Sequence, residues 1–343
     1  MDEIPVKFCD SVVAPISSYF HTQVDRPSND DFKACPPIWE HAAKEFKAQV
    51  FPVIVFVYME PKNVSYEIID ACGEEKLTFQ QLMSRDLTYV RVHSIRFLDA
   101  EDDDEESGIP ITREFFVETF LPRLTAQMTF RGEFELVYSS EDEFELYEKL
   151  MATTNARQIG IFWTGEKSET LATAALRSSK FINVELLGSW PKSFQPEIIS
   201  SLRGGLVHHF SVGSEERYIE VDPEIVTAIV QRWMETNGSK QLFVSMLNGM
   251  PPKEIKALVQ KLIAEGQKAE FEDLEFFEKE AEFLENYNWS MKGGQTLSIS
   301  VVVPLKQIVI ITAKEKPGQH ECENCDCLCD WDGELELEDL PVE

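Results

Sequence analysis

Four cysteines and a histidine fall within ten positions near the C-terminus, in the stretch HECENCDCLCDW, residues 320 to 331. A cluster of this kind can bind a metal ion, exchange disulfides or do neither. A structural zinc ion takes four Cys or His ligands, in pairs set apart by a loop long enough to bring them round the ion. Cys322 and Cys325 make one such pair, but Cys327 and Cys329 follow at single-residue spacing, so all four would have to close on the ion within eight residues. The favoured reading is a free, disordered, cysteine-bearing tail. A metal site on Cys322, Cys325, Cys327 and Cys329 comes second, and thiol chemistry third.

The other chemical candidates are weaker. GIFWTGEKS, Gly160 to Ser168, approaches a phosphate-binding loop, but the motif needs lysine directly after its second glycine. Here Glu166 intervenes and puts a carboxylate where a phosphate would sit, while Ile161, Phe162 and Trp163 read as strand. His208 and His209 are adjacent in a predicted strand, so they should point to opposite faces and cannot chelate together. Carboxylate pairs such as Glu272 and Glu275 are expected by chance in so acidic a chain. No catalytic residues and no cofactor are predicted.

Composition narrows the partners. With 32 basic against 61 acidic residues and a formal charge of -29, the chain has little to offer a phosphate backbone or an anionic membrane surface. Neither nucleic acid nor membrane is an expected partner. No apolar run approaches the roughly 20 residues that span a bilayer. Met1 to Ile16 carries three acidic residues and no cationic leader, so no secretory signal is read there. Seven cysteines, an odd number, suit free thiols in a reducing compartment, and the expected location is cytoplasmic or nuclear. The sequons at Asn63, Asn237 and Asn288 are then coincidental.

With 43% hydrophobic residues over 343 positions, a substantial core can form. The clearest organisation is a repeated strand followed by an amphipathic helix. Strands are predicted near Phe134 (FELVY), Ile159 (QIGIF), Ile182 (INVEL), Leu206 (LVHHF) and Leu242 (LFVSM), at separations of 25, 23, 24 and 36. The first three separations match leucine-rich-type solenoid repeats, and the last leaves room for a strand at Tyr218 to Val221. The regular leucine and asparagine ladder is missing. Between the strands, Ser140 with Glu143 reads as a capping box ahead of Phe144, Tyr147 and Met151. Asp222-Pro223 opens a helix with Ile225, Ile229 and Trp233 on one face, stopped at Asn237-Gly238. Another follows Pro251-Pro252 and aligns Ile255, Leu258, Val259, Leu262 and Ile263 until Gly266.

A parallel strand needs a crossover of a dozen or more residues, and each unit has that length. The expected fold is therefore α/β: a divergent leucine-rich-like solenoid of strand-helix units over 126–313, a curved parallel sheet with helices on one side. Leu297 to Val303 and Gln307 to Thr312 should form a closing hairpin. Upstream, residues 49–125 read as an α/β linking region, with two strands within Val50 to Ala71, a helix around Phe79 to Met83, a strand at Tyr89 to Phe97, an exposed charged loop at Asp102 to Glu106, and a helix anchored by Phe115, Phe116 and Phe120. The run Glu272 to Glu285 reads as a helix or loop with an apolar face from Phe271, Leu274, Phe277 and Phe283. Residues 1–48 read as helical, with Trp39 and Phe46 facing inward in a second helix, and 314–343 as a disordered acidic tail.

The opening MDEIPVKFCDSVVAPI and the stretch LTFQQLMSRDLTYVRVHSIRFLD, Leu77 to Asp99, resemble a lineage-expanded group of nematode F-box-related proteins, over roughly residues 1 to 120. F-box proteins are substrate adaptors: a helical box docks on the adaptor subunit of a cullin-RING ubiquitin ligase, and a second domain captures substrate. The resemblance implies a docking surface on Ile4, Pro5, Phe8, Cys9, Val12, Val13 and Ile16, with Trp39 closing the box. The chain departs from the pattern at Pro15, which would end the first helix early, and at the polar stretch from His21 to Asp31. The expected function is a non-enzymatic protein-protein interaction module, in its sharper form a ligase substrate adaptor. The alternatives are a structural or self-associating solenoid, and an enzyme of unrecognised type.

Overall fold

From Phe51 onward, β-branched and aromatic runs, which fit a pleated surface, alternate with longer runs bearing an apolar stripe at helical spacing. The computed structural model describes residues 48–59, 63–71, 75–99, 108–136, 143–213, 219–238, 241–265, 275–280, 284–290, 295–302 and 307–314. These form one mixed sheet of 15 strands with helices between many of them.

The expected strand pair upstream is an antiparallel hairpin of β1 (Phe51–Met59) and β2 (Val64–Asp70), with β3 (Lys76–Leu77) and β5 (Ile109–Ile111) both paired to β2. Helix α1 (Phe79–Met83) opens with a capping box. The Thr78 hydroxyl accepts from the Gln81 amide at 3.1 Å, and the Gln81 side chain accepts from the Thr78 amide at 2.7 Å. It leads into β4 (Val90–Asp99), parallel to β1. Helix α2 (Arg113–Phe115), a π-helical turn (Phe116–Phe120) and α3 (Leu121–Thr125) follow, with Phe116 and Phe120 buried and Phe115 partly exposed.

Strand and helix then alternate through β6 (Met128–Leu136), α4 (Phe144–Thr153), β7 (Gln158–Phe162), α5 (Glu166–Arg177), β8 (Asn183–Leu187), α6 (Gln195–Gly204) and β9 (His209–Gly213). The short β10 (Glu220–Val221), α7 (Pro223–Glu235), β11 (Leu242–Asn248) and α8 (Pro252–Glu265) complete this part. The Asp222 carboxylate caps α7 as expected, accepting from the amides of Glu224 at 2.9 Å and Ile225 at 3.0 Å. It also accepts from Gln195 Nε2 at 2.5 Å, which ties the start of α7 to α6.

Strands β1, β4, β6, β7, β8, β9 and β11 lie side by side in that order, each parallel to the next. Chain order and spatial order never reverse. Parallel crossovers are right-handed, so steps taken always in one direction put the connecting helices on one face. Accordingly α4, α5, α6, α7 and α8 each pack against the next. Phe134, Ile159, Val184, Phe210 and Val244 form one buried row beneath them, at sequence intervals of 25, 25, 26 and 34. The core also holds Trp190, Trp233 and Trp289; fully burying a large apolar side chain contributes roughly 1.5–3 kcal/mol. One core cluster and one sheet run through residues 125 and 126 without interruption.

Beyond α8 the chain crosses to the far edge and returns as an antiparallel meander, β12 (Glu275–Glu280), β13 (Leu284–Ser290), β14 (Gln295–Val302) and β15 (Gln307–Lys314). The expected closing hairpin is β14 with β15, but β15 also pairs antiparallel with β11, and two further strands extend the sheet outward.

Three expectations are corrected. Within Glu272 to Glu285, residues 275–280 are strand, not helix or loop. The spacing of Phe271, Leu274 and Phe277 suits a helix, but β13 offers a pairing edge, and Glu275 to Glu280 zip against Ser290 to Glu285. Secondly, the strand expected around Leu206 begins only at His209. Gly205 ends α6 in the left-handed conformation, φ 70°, and the intervening residues turn the chain, so His208 precedes the strand and only His209 lies in it. Thirdly, Glu143 is the residue before α4 rather than its third position. Its buried carboxylate accepts from the Tyr147 hydroxyl at 3.4 Å and lies 4.0 Å from Arg113 Nη1. Among the described residues, no helix is long and apolar enough to cross a membrane.

Candidate functional site

A parallel strand covered on both faces reads as a continuous apolar run, whereas these strands alternate. In β6, Phe134 and Leu136 are buried against the helices while Glu133 and Glu135 are half-buried on the other face. In β8 the same holds for Val184 and Leu186 against Asn183 and Glu185. Among the described residues, the helix-free face is thus a broad surface of mixed polar and apolar side chains, Phe56, Phe162, Leu187 and Phe243 among the latter, drawn from strands mostly about 25 residues apart.

Register aligns those side chains into rows. One row runs Phe56, Arg96, Glu135, Gly160, Glu185 and Ser211 across β1, β4, β6, β7, β8 and β9. The adjoining row runs Ser94, Glu133, Gln158, Asn183 and His209. Glu135 and Glu185 therefore flank Gly160, which has no side chain to separate them. With strands about 4.8 Å apart, their backbones stand roughly 10 Å from each other. A Cβ at Gly160 would lie 3.3 Å from Leu187 Cδ1 and 3.5 Å from Glu135 Cγ, so these two side chains wall the notch.

Arg96 Nε lies 2.9 Å from Glu135 Oε2, and its guanidinium carbon stands 5.9 Å from the centre of the Phe56 ring. Burial raises the pKa of Glu133, and Glu135 and Glu185 raise it further, against a smaller opposing pull from Arg96. Burial likewise raises Glu135, with Arg96 pulling it down and Glu185 pushing it up. Beside Glu133, the Ser94 hydroxyl oxygen is buried and has no hydrogen-bond partner; the residue is 6% exposed.

His93 marks an irregularity beside this region. Val53 pairs with Val92 but Ile54 with Ser94, so His93 is an extra residue in β4 relative to β1; against β6 the register also shifts here, with the extra residues on β6, since Val92 pairs with Met128 but Ser94 with Glu133. Bulges of this kind re-aim side chains and are over-represented next to functional sites. Burial, then the Arg91 charge, lowers the pKa of His93. At the far end of the second row, burial also lowers His209, whose ring centre is 4.4 Å from that of Phe243.

No family model, curated protein or solved structure matches the chain. The functional reading rests on its own geometry.

The docking residues implied by resemblance, Ile4, Pro5, Phe8, Cys9, Val12, Val13, Ile16 and Trp39, lie outside the described residues, as do Phe46, Asp102 to Glu106 and the tail cysteines Cys322, Cys325, Cys327 and Cys329. Among the described residues no group of three or more His, Cys, Asp or Glu could hold a metal ion. Gly160 to Ser168 is a strand, a turn and the start of α5, but its polar groups are turned on themselves. Ser168 Oγ accepts from the Thr164 amide at 3.1 Å and shares a hydrogen bond with Thr164 Oγ1 at 2.8 Å. Arg232, 3% exposed, is structural: its Nη1 donates to the Val207 carbonyl at 3.1 Å, with the Leu202 carbonyl at 3.4 Å, near the end of α6.

Inspection of single motifs misses the Glu133, Glu135, Glu185 and Ser94 group, because its members come from β6, β8 and β4. The available signal is the Phe-Glu-Leu and Val-Glu-Leu alternation inside otherwise apolar strands, together with a glycine in the strand between them.

Proposed function

We propose that the chain is a non-enzymatic protein-interaction module, built from repeated strand-helix units, that captures a partner on the helix-free face of its sheet. One observation supports this reading above the others. Among the described residues, the unreversed strand order collects the helices on one side and leaves the other face, several strands wide, without a covering helix. Where strand order reverses, an open α/β sheet gains a crevice for small ligands at the switch point. The parallel run has no such reversal, and an extended surface suits a macromolecule, as in repeat proteins generally.

The test is site-specific photocrosslinking. Benzoylphenylalanine at Ser211, on the open face, should yield an adduct of discrete mass in cells, whereas the same group at Arg203 on α6 should not. Absence of adducts from Ser211, or equal adducts from both positions, overturns the reading.

The ligase adaptor is its sharper form, supported by the resemblance of residues 1 to 16 and 77 to 99 to F-box-related proteins. Co-expression with the ligase adaptor subunit checks it. The original chain should co-purify and a Phe8→Asp, Val12→Asp variant should not. A folded original that fails to co-purify removes the ligase role and leaves the interaction module standing.

A further inference from the structure

We infer that the acidic segment 315–343 docks back on its own chain, on a cationic band along the end of the sheet where β7, β8 and β9 begin, with its leucines seated against Leu206 and its carboxylates drawn to Lys149, Arg157, Lys180 and Arg203. This concerns the rim of the sheet and is independent of what the helix-free face binds.

Acidic residues make up 61 of the 343, yet residues 149–165, 170–184 and 198–214 contain none. Each of these stretches runs from the end of a helix, α4, α5 or α6, through the following turn into β7, β8 or β9. Backbone hydrogen bonds hold the three turns side by side. The Ile182 amide donates to the Arg157 carbonyl at 2.9 Å, and the His208 amide to the Ile182 carbonyl at 2.8 Å. Lys149 and Arg203 are exposed, and the Lys180 ammonium donates to the carbonyls of Met151 at 2.8 Å and Ala152 at 3.1 Å. Cations near helix ends offset the helix dipole. That accounts for Arg177 and Arg203, but not for the missing carboxylates in three consecutive turns. Leu206, in the third turn, is 39% exposed, one of three large hydrophobic side chains so exposed among the described residues.

Charge and reach select the occupant. Residues 315–343 hold eleven acidic residues against one lysine, with the stretch ELELEDL at 334–340. The rest of the chain is also strongly acidic, so most of its surface repels this segment and the band attracts it. At physiological salt that attraction acts over about 8 Å, without direct pairing. Strand β15 ends at Lys314, just past the pairing of Thr312 with Leu242, and β11 pairs with β9 through Phe243 and His209. The segment therefore starts two strand spacings, roughly 10 Å, from the beginning of β9. A chain of about twenty residues spans on the order of 25 Å, which carries 334–340 across the band. Such a tether gives a local concentration on the order of millimolar, so weak contacts suffice.

The test uses the full chain. Arg203→Lys preserves the charge and gives position 203 an amine that a carbodiimide joins to any carboxylate in contact. Peptide mass spectrometry should find carboxylates of 334–339 joined to position 203 at least fivefold more often than to Lys253 or Lys261, exposed on α8. Leu206→Ser and Lys149→Glu, each added to that background, should lower the yield at least threefold. Both positions are exposed, and unchanged thermal melts show that the fold is kept. A mixture of unlabelled and nitrogen-15-labelled chains should give joined peptides of matching label.

Equal joining to position 203 and to the α8 lysines would describe a segment that settles nowhere and would overturn the inference. So would no joining at position 203, or a yield unmoved by both Leu206→Ser and Lys149→Glu. Joined peptides of mixed label would assign the contact to a second copy and overturn it as well.

Discussion

Arg96 Nε sits 2.9 Å from Glu135 Oε2 on neighbouring parallel strands, and this pair is the counterweight to a patch that also holds Glu133 and Glu185. Its partial exposure keeps its direct contribution small. Replacing Arg96 by methionine should lower stability by roughly 0.5–1 kcal/mol at pH 8. Losing the cation raises the proton affinity of Glu135 in the fold. The loss should therefore shrink as pH falls through the raised folded pKa of Glu135, as urea titrations across a series of acidic pH values would show.

Glu133 gives the opposite response. Burial first, then Glu135 and Glu185, raise its folded pKa above its unfolded value against the pull of Arg96, while Ser94 and Gln158 flank it without charge. The folded state therefore binds more protons than the unfolded one between the two pKa values, and this group's contribution to stability falls as pH rises through that window. Glu133→Gln should raise Tm at pH 7.5, and the gain should disappear below the ordinary glutamate range. Thermal melts across pH 4 to 8 check this, and a Tm gain independent of pH would refute the assignment.

Gly238 closes α7 in the left-handed conformation, φ 63°, with its amide donating to the Trp233 carbonyl at 2.8 Å. An added Cβ would collide with Gln295 Cβ at the start of β14. Gly238→Ala should cost roughly 1–3 kcal/mol, measured by chemical denaturation, because both the backbone conformation and the packing onto the meander resist it.

The difference between these positions reflects what local sequence can encode. The Asp222-Pro223 start and Asn237-Gly238 stop of α7 were legible because caps and left-handed residues act within one turn. So was the 25-residue spacing, since the same strand and helix lengths recur. The helical spacing of Phe271, Leu274 and Phe277 is overridden at Glu275 to Glu280 by a pairing edge that the chain itself supplies from β13. The strand expected at Leu206 slid to His209 because a glycine in the left-handed conformation consumed residues in the turn.

By itself, then, the sequence determined the alternation of strands and helices, which strand positions face the core, and an acidity that disfavours anionic partners. Those properties follow from side-chain periodicity and charge, which operate over a few residues. Tertiary structure alone decided that the parallel strands never reverse order, that a four-strand meander joins at β11, that Glu135 and Glu185 flank Gly160, and that Ser94 stands beside Glu133. Register between strands 25 residues apart is set by how the whole core packs, so no short stretch of sequence contains it.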